Sequence, residues 1–305
     1  MEHVNVQRPP AIRLMRIIRS ISIMSAYSRA LHHEGVRIGF VPTMGALHQG
    51  HRALIRTARL ACDAVVVSIF VNPAQFGPRE DFLRYPRQMK QDAAMCRENG
   101  VDVLFAPSRD AMYPPDFQTA VAVHALSQRW EGAQRPTHFG GVATVVTKLL
   151  NIIHPHIAFF GQKDYQQVVA VRRLVTDLNI DTAIEQCPTV RESDGLAMSS
   201  RNVYLTAAQR RAAPVLYEAL QAGDTAIHEG SRDATRIRRA MLMKLAEEPL
   251  VQFEYVSVCD PDSLEPLTKI TERAVLLGAI RLGPVRLIDN LSVKAKAKGR
   301  RGKGR

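Results

Sequence analysis

A chain of 305 residues with 46% hydrophobic and 23% charged side chains can bury a sizeable core and is too long for one minimal core. That composition excludes a disordered chain and favours a large domain with a smaller companion. The formal charge of +12 falls to +5 without the last twelve residues, Lys294 to Arg305, where seven basic groups stand among Gly and Ala with no acid and no aromatic; such a block is a solvated appendage rather than a surface that stacks on bases.

The four cysteines, Cys62, Cys96, Cys187 and Cys259, lie far apart with no C-x-x-C pair, which fits reduced thiols better than a disulfide frame or a zinc site. Basic and apolar residues alternate from Arg13 to Arg19, too broken a run for a secretory leader or a membrane span. The expectation is a cytoplasmic protein with neither a membrane nor a specific nucleic-acid partner.

In chain order, residues 1–12 read as a flexible extension. Apolar runs at Ile38 to Val41, Ala64 to Val71, Val101 to Phe105 and Ile157 to Phe160 have the unbroken character of parallel strands buried on both faces. Between them, segments around Arg52 to Ala61, Gln88 to Asn99, Val142 to Ile153 and Gln166 to Leu178 carry apolar residues at helical spacing. The fold class is therefore α/β, a Rossmann-like doubly wound parallel sheet over 13–188. Beyond Pro188 a polar loop leads into an Ala- and Arg-rich helical region, Ala207 to Glu248, and then strands at Val251 to Val258, Ala274 to Arg281 and Val285 to Asp289. That pattern predicts a smaller α+β lid domain over 189–290, followed by a flexible basic tail over 291–305.

Four segments carry chemistry. Pro42-Thr43-Met44-Gly45-Ala46-Leu47-His48-Gln49-Gly50-His51 follows a strand and opens a helix, an arrangement in which free backbone N–H groups and the positive helix end attract a polyphosphate. His48 and His51 are three apart and share a face if the helix has begun; as donors they can stabilise charge developing on phosphate. Asn72-Pro73-Ala74-Gln75-Phe76 lies just past the next strand, where neutral amides suit a small hydroxy acid. Gly161-Gln162-Lys163-Asp164-Tyr165-Gln166-Gln167 offers Lys163 as a point charge for phosphate and Asp164 as either a helix cap or a site residue. The loop Pro188 to Asn202 ends in Met198-Ser199-Ser200-Arg201, two hydroxyls beside a guanidinium, well suited to closing over phosphates.

Taken together and in this order, the four segments resemble the pantothenate synthetase family over roughly residues 13–290, within the wider class I nucleotidyltransferase-like group. The resemblance implies ATP-dependent condensation of pantoate with β-alanine through a pantoyl adenylate, releasing AMP and pyrophosphate. It implies catalytic roles for His48, as proton donor, His51 and Lys163. ATP contacts carry over to Met44, Gly45, His48, His51, Gly161, Gln162, Lys163, Asp164, Val190, Met198, Ser199, Ser200 and Arg201. Gln75 would take pantoate and β-alanine, and Gln167 pantoate. Asp92 would hold Mg²⁺, Arg135 and His138 stand in a family-typical stretch near the ligand, and the chain would form a homodimer. The alternative is another nucleotidyltransferase with the H-x-G-H loop and a different acceptor.

Overall fold

The computed structural model describes residues 14–78 and 80–295; the extension over 1–12 and the tail from 296 onward lie outside them. The first unit runs β1 (Arg16–Ile18), α1 (Ile21–His33), β2 (Ile38–Thr43), α2 (Gln49–Ala61), β3 (Ala64–Ile69), α3 (Met89–Glu98), β4 (Val103–Phe105), α4 (Arg109–Met112), α5 (Glu131–Gln134), α6 (His138–Ile153), β5 (Ile157–Gly161), α7 (Tyr165–Asp177) and β6 (Ala183–Cys187). Its six strands form one parallel sheet in the order β1-β4-β3-β2-β5-β6.

Period-two alternation sorts the strand side chains into two cores. Ile38, Phe40, Val66, Phe105 and Phe160 face α1, α6 and α7. Val41, Val65, Val67, Leu104 and Phe159 face α2 and α3. Two cores on one sheet explain why the central strands read as unbroken apolar runs. The strands that the apolar runs did not reveal, β1 and β6, are the two edges. β1 is three residues with exposed Arg16 and Ile17, and β6 alternates exposed and half-buried positions, so neither carries the signature of a buried strand.

The second unit holds α8 (Ala207–Ala212), α9 (Val215–His228), α10 (Ala234–Leu245) and an antiparallel meander of β7 (Val251–Cys259), β8 (Arg273–Leu282) and β9 (Val285–Lys294). The expected helical stretch is broken at Pro214 and at Gly230, whose φ of 105° ends α9. On β8, Ala274, Leu276, Ile280 and Leu282 pack against α9 and α10, while Val275 and Leu277 turn to the first unit and meet Phe139, Tyr165 and Val169. β9 pairs with β8 as far as Lys294 opposite Arg273, so residues 291–294 belong to the sheet and not to the tail.

The chain leaves β2 toward β3 on one side and returns through β5 on the other. The sheet therefore has its switch point between Thr43 and Gly161, where the crevice of an open α/β sheet forms. Among the described residues, no helix is long and apolar enough to cross a membrane.

Candidate active site

The loop leaving β2 is shaped from within. Gly45 and Ala46 both have positive φ, 82° and 52°, a conformation costly for alanine unless its surroundings hold it. The holding groups are at hand: Thr43 Oγ1 accepts from Gly45 N–H at 3.1 Å, and the Asp92 carboxylate accepts from Ala46 N–H at 3.0 Å and Leu47 N–H at 2.8 Å. Asp92, on the first turn of α3, is only 1% exposed. It is not among the cavity-lining residues. In this structure its two oxygens, named above for Mg²⁺, are each engaged by a backbone amide of the loop, which they hold in shape.

His48 is the N-cap of α2, and the two histidines close a capping box. His48 Nδ1 accepts from Gly50 N–H at 3.1 Å, and His51 Nδ1 accepts from His48 N–H at 3.3 Å. The glycine of H-x-G-H is required here, since a Cβ at Gly50 would stand 2.8 Å from the His48 ring. Burial and then the nearby Lys163 lower His48 to a pKa of about 4; burial and then His48 lower His51 to about 3. Both rings are neutral at pH 7. With each Nδ1 accepting, the remaining proton of each ring is on Nε2, which leaves a pair of donors, with ring centroids 4.2 Å apart, at the wall of the crevice. The amides of Gly45, Ala46, Leu47, His48 and Gly50 are consumed within the loop. An anion here therefore meets imidazole N–H groups, and those five amides add nothing to the backbone cradle expected from the sequence.

Across the switch point, the 3₁₀ turn Gln162–Asp164 follows β5 and carries Lys163. Asp164 occupies the N-cap position of α7, yet its side chain makes no capping bond. It stands instead beside Lys163, Nζ to Oδ1 3.8 Å. Partial desolvation in the crevice works to raise the pKa of this half-exposed carboxylate, but Lys163, His138, Arg201 and Arg135 together hold it below the ordinary value. Gln162 turns away from the crevice toward Asn290 and Ser292, at 3.3 Å each. Asn290 in turn donates to the carbonyls of Gln162 and Lys163 at 2.8 and 2.9 Å, so β9 of the second unit fixes the lysine's backbone.

Gln75 ends the 3₁₀ turn Pro73–Gln75, capped by Asn72. Its Oε1 accepts from Asn72 Nδ2 at 3.0 Å and its Nε2 approaches Met44 Sδ at 3.3 Å. His138 Nδ1 donates to its carbonyl at 3.0 Å, joined by Arg135 at 3.3 Å. The two neighbouring glutamines on α7 separate by role: Gln166 is buried and bonded to Glu131 N–H and to the Leu126 and Arg129 carbonyls, whereas Gln167 lines the crevice.

The loop 188–204 folds back on itself, with Met198 N–H on the Val190 carbonyl and a bridge between Arg191 and Ala197. Ser200 Oγ donates to the Ala46 carbonyl at 3.0 Å. Arg201 grips Asp81 through two hydrogen bonds of 2.9 and 3.0 Å, and Tyr204 reaches the Arg84 carbonyl at 2.8 Å.

These pieces enclose a cavity of about 1030 Å³. Met44, His48, His51, Gln75, Gly161, Lys163, Asp164, Gln167, Val190, Met198, Ser199, Ser200 and Arg201 all line it; Gly45, Gln162 and Asp92 do not. Of its four acids, Glu80 is clamped by Arg135, Asp81 by Arg201 and Glu131 by Arg286, whereas Asp164 is ion-paired with Lys163 at the longer distance of 3.8 Å. Asn72 carried a readable signal, an Asn before Pro at the head of a turn. Asn290 and Arg286, which come from the far end of the chain, carried none.

A switch-point crevice lined by neutral imidazole donors, a lysine and amides defines a nucleotide-handling α/β enzyme with room beside the polyphosphate for small polar acids. The family model for pantoate–β-alanine ligase matches residues 16–292, and the chain belongs to that family. It is 50% identical over 276 residues to the pantothenate synthetase of Thermotoga neapolitana, covering 90% of this chain and 99% of that one. With the enzyme of Heliobacterium modesticaldum the identity is 50% over 280 residues, covering 92% and 100%. Among solved structures, pantothenate synthetase from Thermus thermophilus superposes with a TM-score of 0.87 at 47% identity, covering 91% of this chain and 99% of that one. The pantoate–β-alanine ligase of Francisella tularensis, complexed with β,γ-ATP and β-alanine, does so at 0.76 and 36% identity, covering 91% and 97%.

Proposed function

We propose that this ligase activates pantoate with ATP and passes the activated acyl group to β-alanine, all within the one cavity. The observation that carries the reading is the meeting of His48, His51 and Lys163 with Gln75 and Gln167 around a single space. A pantoate carboxylate oxygen attacks the α-phosphorus and pyrophosphate leaves. The β-alanine amine then attacks the acyl carbon of the pantoyl adenylate, AMP leaves, and the nitrogen loses a proton. No covalent enzyme intermediate is required; the protein contributes positioning and charge stabilisation. The Nε2–H groups of His48 and His51 and the Lys163 ammonium serve the charge growing on the phosphates. Gln75 and Gln167 orient pantoate, and the Met198 to Arg201 loop covers the nucleotide, Arg201 exchanging Asp81 for phosphate.

Magnesium belongs to this reading as the ion that neutralises ATP phosphate charge when bound. Among the described residues, no group of three or more His, Cys, Asp or Glu side chains could hold a metal, so the phosphates would supply most of its ligands, and Asp164 would be the cavity carboxylate to add one. A homodimer is carried over from the family resemblance, and a cytoplasmic setting from the scattered cysteines and the broken N-terminal run.

The test incubates the protein with ATP and Mg²⁺, adding pantoate and β-alanine singly and together. AMP and pantothenate together should appear only with both substrates. AMP release indifferent to pantoate would overturn the reading and favour a different acceptor.

A further inference from the structure

An amide side chain can offer a ligand either its oxygen or its N–H₂, and a site that needs donors must decide which end faces in. At Gln75 that decision is made by Asn72, which is 1% exposed and has its polar ends matched on both sides. Its Nδ2 donates to the Gly141 carbonyl and to Gln75 Oε1, each at 3.0 Å. Its Oδ1 accepts from Ala74 N–H at 3.3 Å and from the Tyr113 hydroxyl at 2.9 Å. The Tyr113 bond is the shorter of the two that hold the oxygen end.

Tyr113 follows α4, more than thirty residues along the chain from Gln75, and is not a cavity-lining residue. Its ring is fixed by Phe70 and Phe117, with centroids 6.1 and 5.1 Å away. On the opposite side of Asn72, α6 comes so close that a Cβ at Gly141 would lie 2.3 Å from the Ala74 carbonyl oxygen. The Gln75 turn is thus pressed between the helix backbone and a tyrosine-anchored asparagine.

We propose that Tyr113 is a positioning residue whose hydroxyl, acting through Asn72, fixes the Gln75 amide with its N–H₂ toward the cavity and so sets the affinity for pantoate. Burial pushes the Tyr113 hydroxyl up to about pH 12, so it stays protonated and able to donate at every working pH. The inference rests on the assignment of Gln75 to pantoate made above.

The test is pantoate-dependent exchange of pyrophosphate into ATP, without β-alanine, in Tyr113→Phe, which keeps the ring packing and removes only the hydroxyl. Loss of one buried hydrogen bond on the relay should raise the KM for pantoate roughly five- to tenfold, with the KM for ATP within twofold of wild type. In an Asn72→Ala background, the same substitution should change the pantoate KM less than twofold, because its route to Gln75 has been cut. A folded Tyr113→Phe enzyme with an unaltered pantoate KM would overturn the proposal, as would ATP and pantoate constants rising together or full additivity with Asn72→Ala. If wild-type protein showed no pantoate-dependent exchange, the ligase reading itself would fail, an outcome separate from all of these.

Discussion

Each imidazole at the head of α2 uses one nitrogen to complete the helix end and keeps the other for the cavity, so its structural and chemical duties can be separated. In His48→Asn the side chain can still cap the helix, but it is too short to replace the Nε2–H donor. Unfolding in urea should change by less than about 1 kcal/mol, while adenylation, measured by pyrophosphate exchange, should drop by roughly a hundredfold or more. A variant that keeps its rate would remove His48 from the chemistry. Protonation adds a second expectation. Burial lowers His48 and His138 to about 4 and His51 to about 3, so the native state keeps all three neutral while the unfolded chain takes up protons below its ordinary value of 6.5. The stability they contribute is fully present above pH 6.5 and is lost as pH falls from there toward 4. Thermal unfolding followed across that window should show a falling midpoint, and replacing His51 with Asn should flatten the slope. The residue types of H-x-G-H were legible in the sequence. Their charge state was not, because it depends on burial and on a lysine that arrives from β5.

At the scale of elements, α3 supports the loop leaving β2 from behind, through Asp92. Asp92→Asn replaces one acceptor with a donor opposed to a backbone N–H, and should cost about 1.5–3 kcal/mol in urea unfolding. The Mg²⁺ concentration giving half-maximal rate should stay where it is; a marked shift would return Asp92 to the role of metal ligand. Sequence alone shows an acid on a first helical turn, and only the positive φ of Ala46 reveals the amides that need it. The same limit hid the edges of the sheet while exposing its centre: β2, β3 and β5 are buried on both faces and speak through unbroken apolar runs, whereas β1 and β6 are half-covered and blend into polar surroundings.

For the whole molecule, the seam between the units governs both stability and the site. Arg286 of β9 pairs with the buried Glu131 at 2.5 and 2.6 Å and with Glu254 at 2.7 Å, and Tyr255 donates to Glu131 at 2.7 Å. Arg286→Met leaves Glu131 buried without its cation and should cost about 3–5 kcal/mol; adding Glu131→Gln should recover more than half of that in the same denaturation measurement. No recovery would show that the arginine acts through packing alone. The two units themselves were legible from the change of composition near Pro188. The seam was not, since its partners lie more than a hundred residues apart and no local pattern joins them.

Asn290, which holds the carbonyls of the Lys163 turn, belongs to β9, which leaves the ribosome after every other described strand. The parallel sheet, the histidine pair and the lysine are all synthesised before the strand that sets the lysine in place. A chain that stops short of β9 therefore lacks the two hydrogen bonds that hold the carbonyls of Gln162 and Lys163.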